Sequence, residues 1–175
     1  MKRTYVMPLL VLTVICLVVS GALAFMNSVT YPIITVAAEE RALIAMADII
    51  PEATGFEPVY MGDFSGIPAS VKDIYKAVND VGYVIIAAVN GFSGDITIIC
   101  GVDSEGRIIA CSTLSHTETK GIGTIIEQES FLGAFRGLDI ERDRVDTVAG
   151  ATISTRAFIH GIEDIIKAFR VVSSS

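Results

Sequence analysis

Residues Asp146-Thr147-Val148-Ala149-Gly150-Ala151-Thr152-Ile153-Ser154-Thr155 gather four hydroxyl side chains just ahead of an amphipathic run. Gly150 and Ala151 leave the backbone bare, so a bulky ligand can come close to it. A helix start would place free N–H groups beside those hydroxyls, and such a start attracts anions. A second polar stretch, Ser115-His116-Thr117-Glu118-Thr119-Lys120-Gly121-Ile122-Gly123, offers His116, Glu118 and Thr119 as polar groups for ring edges. Its two glycines, Gly121 and Gly123, admit a flat ligand against the chain. A third stretch, Gly91-Phe92-Ser93-Gly94-Asp95-Ile96, taken alone is an ordinary glycine-rich loop.

Each stretch also has a plain structural account. Asp146 can end a strand, Gly150 can make a tight turn, and Ser154 can cap a helix. A lone His–Glu pair is more often a satisfied loop pair than a catalytic one. Cys16, Cys100, Cys111, His116 and His160 show no metal-site spacing, so a protein-ligated zinc or iron–sulfur site is not expected. Cys100 and Cys111 lie on either side of a hairpin. They read as two small buried residues or as a disulfide, and the sequence leaves both open.

The elements that position these stretches follow from periodicity. Asp95 to Val102 and Arg107 to Leu114 flank Asp103-Ser104-Glu105-Gly106, the turn chemistry of a β-hairpin. Val71 to Val78 suits a strand, and Gly82 to Val89 is a β-branched apolar run of the kind found in buried strands. Two or three consecutive antiparallel strands are expected. Ser130 to Phe135 suits a short helix. The last helix is expected from about Ser154, with Phe158, Ile162, Ile165, Ile166 and Phe169 on one face. The fold class is α+β: helices packed on an antiparallel sheet.

Ahead of this domain, Lys2 and Arg3 precede an uncharged apolar run from Val6 to Phe25. About 20 residues at ~1.5 Å rise cross a ~30 Å hydrocarbon core. Ala22-Leu23-Ala24 resembles a signal-peptidase site, but the run exceeds a usual signal core, so an uncleaved transmembrane anchor is expected. The flanking charges put the N-terminus in the cytoplasm and the bulk of the chain outside. A separate stalk helix is expected from Tyr31-Pro32 to Ile49, capped by Thr30, before a loop-rich connector. The expected division is an anchor over 1–28, a stalk and connector over 29–68, and an extracytoplasmic domain over 69–175. The 175 residues carry a net charge of −7 with mean hydropathy +0.59, much of it from the first 25 residues. Nucleic acid is therefore not an expected partner, nor is a polybasic membrane-surface patch.

In this order and spacing, Gly91–Ile96, Gly101–Gly106, His116–Gly123 and Gly150–Thr152 resemble the FMN-binding domain of the G-type subunit of the Rnf electron-transport complex. They are also similar to the C-type subunit of the sodium-pumping NADH:quinone reductase. The single N-terminal membrane helix matches too, so the resemblance covers nearly the whole chain. It implies FMN joined through its phosphate to Thr152, by a separate flavin transferase that uses FAD and releases AMP. It implies a cofactor site of Gly150, Ala151, Thr152, Ser154 and Thr155, with the isoalloxazine against His116, Glu118, Thr119, Gly121 and Gly123. Ser154 is read first as a helix cap. The implied function is an electron carrier within a membrane complex whose other subunits hold flavin and iron–sulfur centres. That complex passes electrons between ferredoxin and NAD while Na⁺ or H⁺ crosses the membrane. Two alternatives stay open: a flavinylated extracytoplasmic module serving another reductase, and a cofactor-free membrane-anchored module. Two positions depart from the pattern, which has Ser or Thr at Ala149 and often Pro at Lys120.

Overall fold

The computed structural model describes residues 3–59, 62, 64–121, 123–139 and 145–174. Arg3–Ile49 forms one helix, α1. From Met7 onward it is long and apolar enough to cross a membrane. Leu9, Leu12, Leu17 and Phe25 all face outward, where hydrocarbon suits them better than water. The expected break at Thr30 is absent. α1 runs on through Pro32, so Thr30 lies mid-helix with no first turn to cap. A proline deletes one N–H from a helix interior, and the helical runs on both sides outweigh that loss. Packing divides the chain after Arg41 into two compact units.

Within the second unit, Ala42–Ser175, five strands pair strictly in chain order and all antiparallel: β1 (Phe56–Pro58), β2 (Val71–Ala77), β3 (Tyr83–Asn90), β4 (Asp95–Val102) and β5 (Ile108–His116). The expected strands are present, and β1 is an addition. It is only three residues long and contains Pro58, so no alternation announces it. The β4–β5 turn forms as its residues dictate. Asp103 Oδ1 accepts hydrogen bonds from the Glu105 and Arg107 amides at 2.9 and 2.8 Å, and Gly106 takes φ +87°.

Both faces of the sheet are covered, which is why β3 reads as a continuous apolar run. Val84, Ile86 and Ile99 meet Met46, Ile49 and Ile50 at the end of α1. Gly101 lets that end approach, since a Cβ there would collide with Ile49. On the other face, Ile85, Ala87, Ile98 and Cys100 meet Phe158, Ile162, Ile165 and Phe169 of the last helix, α3. α3 spans Thr152–Ser173, starting two residues before the expected Ser154. Residues 145–148 form no strand, so Asp146 ends none.

Between sheet and α3 lie a 3-10 turn over Gly123–Glu127, a short helix α2 (Glu129–Leu132) and a second 3-10 turn over Gly133–Phe135. Phe131 stacks edge-on against Phe135 and Phe158 at 5.3 and 5.4 Å between centroids, which fastens this segment to α3. Cys100 and Cys111 are register partners on β4 and β5 and are free thiols. Burial pushes Cys111 up to about 12 and Cys100 well above its ordinary value.

Candidate functional site

The three chemically suggestive stretches meet, and one carboxylate joins them. β3 and β4 are joined by the Gly91–Gly94 turn, closed by the Gly91 amide donating to the Gly94 carbonyl at 2.8 Å. β5 ends at His116, and the chain leaves it through Glu118. α3 starts opposite. Glu118 is only 8% exposed. Its Oε1 accepts the Phe92 and Ser93 amides at 2.8 and 3.0 Å. Its Oε2 accepts a short hydrogen bond from the Ser154 hydroxyl. Glycine is required around it: a Cβ at Gly91 would collide with Oε1, and one at Gly123 would strike the Glu118 side chain. Burial opposes ionisation of Glu118. The hydrogen bonds from Ser154, Ser93 and Phe92 outweigh it, with help from His116, and hold the carboxyl below its ordinary value.

Beside this carboxylate opens a cavity of about 390 Å³, lined by Phe92, Glu118, Thr119, Gly123 and Gly150 to Ser154. Cofactor pockets commonly run from about 300 to 1,000 Å³. Its polar floor is the start of α3. Gly150 turns the chain at φ +87° with open space where a Cβ would stand. Ala151 is the N-cap residue and supplies no side-chain cap. The Thr152, Ile153 and Ser154 amides head the helix with no earlier carbonyl in it to bond.

The hydroxyls here differ sharply. Thr155 is fully buried, donating to the Ala151 carbonyl at 2.9 Å and accepting the Val148 amide at 3.3 Å. It holds the turn that presents Gly150 and is spent in doing so. Ser154 is spent on Glu118 and is not the helix cap. Thr152 lines the cavity and, among the described residues, its hydroxyl reaches only the Val148 carbonyl, at 3.5 Å, a marginal hydrogen bond. Thr147 is exposed and does not line the cavity.

The remaining expected residues divide. Thr119 lines the cavity and its hydroxyl pairs with that of Ser93 at 3.2 Å. Gly121, at φ +84°, donates its amide to Thr124 Oγ1 at 3.1 Å and shapes the loop without lining the cavity. Ile122 lies outside the described residues. His116 stands behind the site. Its Nδ1 accepts the Glu118 amide at 3.0 Å and its Nε2 lies 3.0 Å from Glu127 Oε1. With Nδ1 accepting, the proton falls on Nε2. Phe92 and Ile153 were not expected as site residues, yet they form apolar lips that are 67% and 56% exposed. Ile153 lies off the core stripe of α3, and Phe92 is an aromatic residue in a polar loop. Both are signals visible in the sequence.

Backbone amides at a helix start, a loosely held hydroxyl beside them and apolar lips define a domain that can seat a planar ligand bearing an anionic group. Residues 91–167 match the FMN-binding domain family, and these features fit that cofactor: the amides suit its phosphate, the lips its ring. Over that region the chain is similar to FMN-binding domains, and over most of its length it is similar to the G-type subunits of ion-translocating oxidoreductase complexes. The G-type subunit of the ion-translocating oxidoreductase complex of Methanosarcina acetivorans is 29% identical over 89% of each chain. The G-type subunit of the proton-translocating ferredoxin:NAD⁺ oxidoreductase complex of Clostridium ljungdahlii is 27% identical over 89% of this chain and 86% of its own. Its counterpart in the Na⁺-translocating complex of Acetobacterium woodii is 24% identical over 94% and 91%. The crystal structure of Shewanella oneidensis NqrC shares the fold, with TM-score 0.50 and 19% identity over 70% of each chain.

Proposed function

We propose that this chain is the electron-carrying subunit of a membrane-bound Rnf-type ferredoxin:NAD oxidoreductase, with FMN joined through its phosphate to Thr152. The observation that carries the covalent reading is the state of the hydroxyls. Of Thr152, Ser154 and Thr155, only Thr152 lines the cavity without a firm hydrogen bond to any described residue. In attachment, Thr152 Oγ bonds to the FMN phosphorus of FAD, the phosphoanhydride bond breaks and AMP leaves. A Thr hydroxyl is a weak nucleophile, and the base that takes its proton belongs to a separate flavin transferase. The chain's own part is to present the hydroxyl and to receive the phosphoester charge. The Thr152, Ile153 and Ser154 amides do the second, worth about 0.3–1 kcal/mol at an exposed helix start. Phe92 and Ile153 would cover apolar ring surface, and Thr119 would offer its hydroxyl to a ring edge. Bound FMN supplies reversible electron uptake; the protein sets its place and surroundings.

In this reading residues 1–28 anchor the chain, 29–68 carry it away from the membrane, and 69–175 hold the flavin on the extracytoplasmic side. A covalent bond there prevents loss of a cofactor that the cell could not recover. The partners are the complex's other redox subunits. The test is direct. Protein from cells that supply a flavin transferase, denatured and resolved on a gel, should fluoresce and should weigh one FMN minus water more than the polypeptide. Thr152→Ala should remove both signals, and fluorescence surviving that substitution excludes Thr152 as the attachment point.

A further inference from the structure

We propose that Glu118 is a positioning residue for flavin attachment: through Ser154 it fixes the first turn of α3 so that Thr152 and the leading amides face the cavity before any flavin arrives. The proposal rests on the attachment reading above. Its own support is geometric. Glu118 takes two amides from the β3–β4 turn and the hydroxyl of Ser154, and so ties together segments 26 and 36 residues away in sequence. Gly91 and Gly123 make the room that the carboxylate occupies, because its atoms fill the space where their Cβ atoms would be, and the hydrogen bonds from Phe92, Ser93 and Ser154 hold it there. Ser154 is two residues from Thr152 on the same helical turn, so restraining one restrains the other. The carboxylate is not placed to bind the phosphate itself. A second negative charge would repel it, and Glu118 already accepts three donors. Its contribution is order: a helix start held against two loops loses less entropy when the phosphate docks.

The experiment uses the full-length chain, purified flavin-free in detergent, with FAD and a purified flavin transferase. The initial rate of flavin attachment is measured against chain concentration at a temperature where circular dichroism shows every variant folded. Ser154→Ala should slow attachment by about tenfold, the scale of one charge-assisted hydrogen bond. Glu118→Ala should slow it at least as much. Glu118→Gln should recover most of the rate, because its oxygen can still accept the two amides while its NH₂ donates to the Ser154 hydroxyl. A side chain that only stabilised the fold would lower the melting temperature and leave the rate of folded protein unchanged. Folded Ser154→Ala labelled at the wild-type rate therefore overturns the proposal, whether or not Glu118→Ala folds. Thr152→Ala serves as the control. If it still takes flavin, the attachment reading itself falls; if it is silent while Ser154→Ala is normal, only the role of Glu118 falls.

Discussion

Two buried carboxylates make the domain sensitive to acid at the scale of single residues. Glu118 is described above. Farther along α3, Asp164 accepts the Ser70 hydroxyl at 2.7 Å and Lys167 Nζ at 2.9 Å, and so links the approach to β2 with the helix. Burial opposes its charge, but Lys167 and Ser70 outweigh that and hold it below its ordinary value, with His160 assisting. For both groups the folded pKa lies below the unfolded one. Each therefore stabilises the fold above the unfolded pKa of about 4, and that contribution disappears as pH falls through the folded value. The melting temperature of the full-length protein should be level from pH 8 to 6 and drop below about pH 4. Asp164→Asn should flatten part of that drop, and an equally steep fall in that variant would count against the assignment. Residue type is enough to select Glu118 for the site and suggests a flavin edge as its neighbour. That Ser154 stands opposite depends on where β5 and α3 lie, which no local pattern records.

At the scale of elements, one close contact decides how α3 lies on the sheet. A Cβ at Gly161 would stand 2.6 Å from Ile98 Cδ1 and 3.1 Å from Val89 Cγ1. Glycine inside an exposed helix costs about 1 kcal/mol relative to alanine, so Gly161→Ala would ordinarily stabilise. Here the overpacking should win, with net destabilisation of about 1–3 kcal/mol. Thermal melting checks the sign, and adding Ile98→Val, which removes the clashing carbon, should restore much of the loss. Much of this architecture was legible. The β4–β5 turn declares itself through Asp103 and Gly106, and the stripe from Phe158 to Phe169 gives α3 its buried face. What was not legible has local causes. β1 is too short to alternate, the 3-10 turn at Gly123–Glu127 has no strong periodicity, and α3 begins at Thr152 behind Ala151, which offers no capping side chain to mark the start, while the Ser154 hydroxyl goes to Glu118. The expected stalk helix merged into α1 because the helical runs on both sides of Pro32 are strong.

At the scale of the whole molecule, the chain is a membrane-anchored single-pass protein: among the described residues one helix, at the N-terminal end, is long and apolar enough to cross a membrane. Lys2 and Arg3 favour a cytoplasmic N-terminus. Protease added to spheroplasts should then degrade the region after the anchor, and degradation only in inverted vesicles would reverse the assigned sides. The order of elements has a further consequence. Each strand pairs with its sequence neighbour, so the sheet can form progressively as the chain emerges. Thr152 opens the helix that follows, and its pocket borrows walls from turns made earlier. On the attachment proposed above, a transferase that needs the assembled pocket would pass over chains whose domain has not yet closed. The flavin would then act as a proofreading mark, present only on copies whose domain has closed, and a redox complex built from marked copies would seldom incorporate a dead carrier.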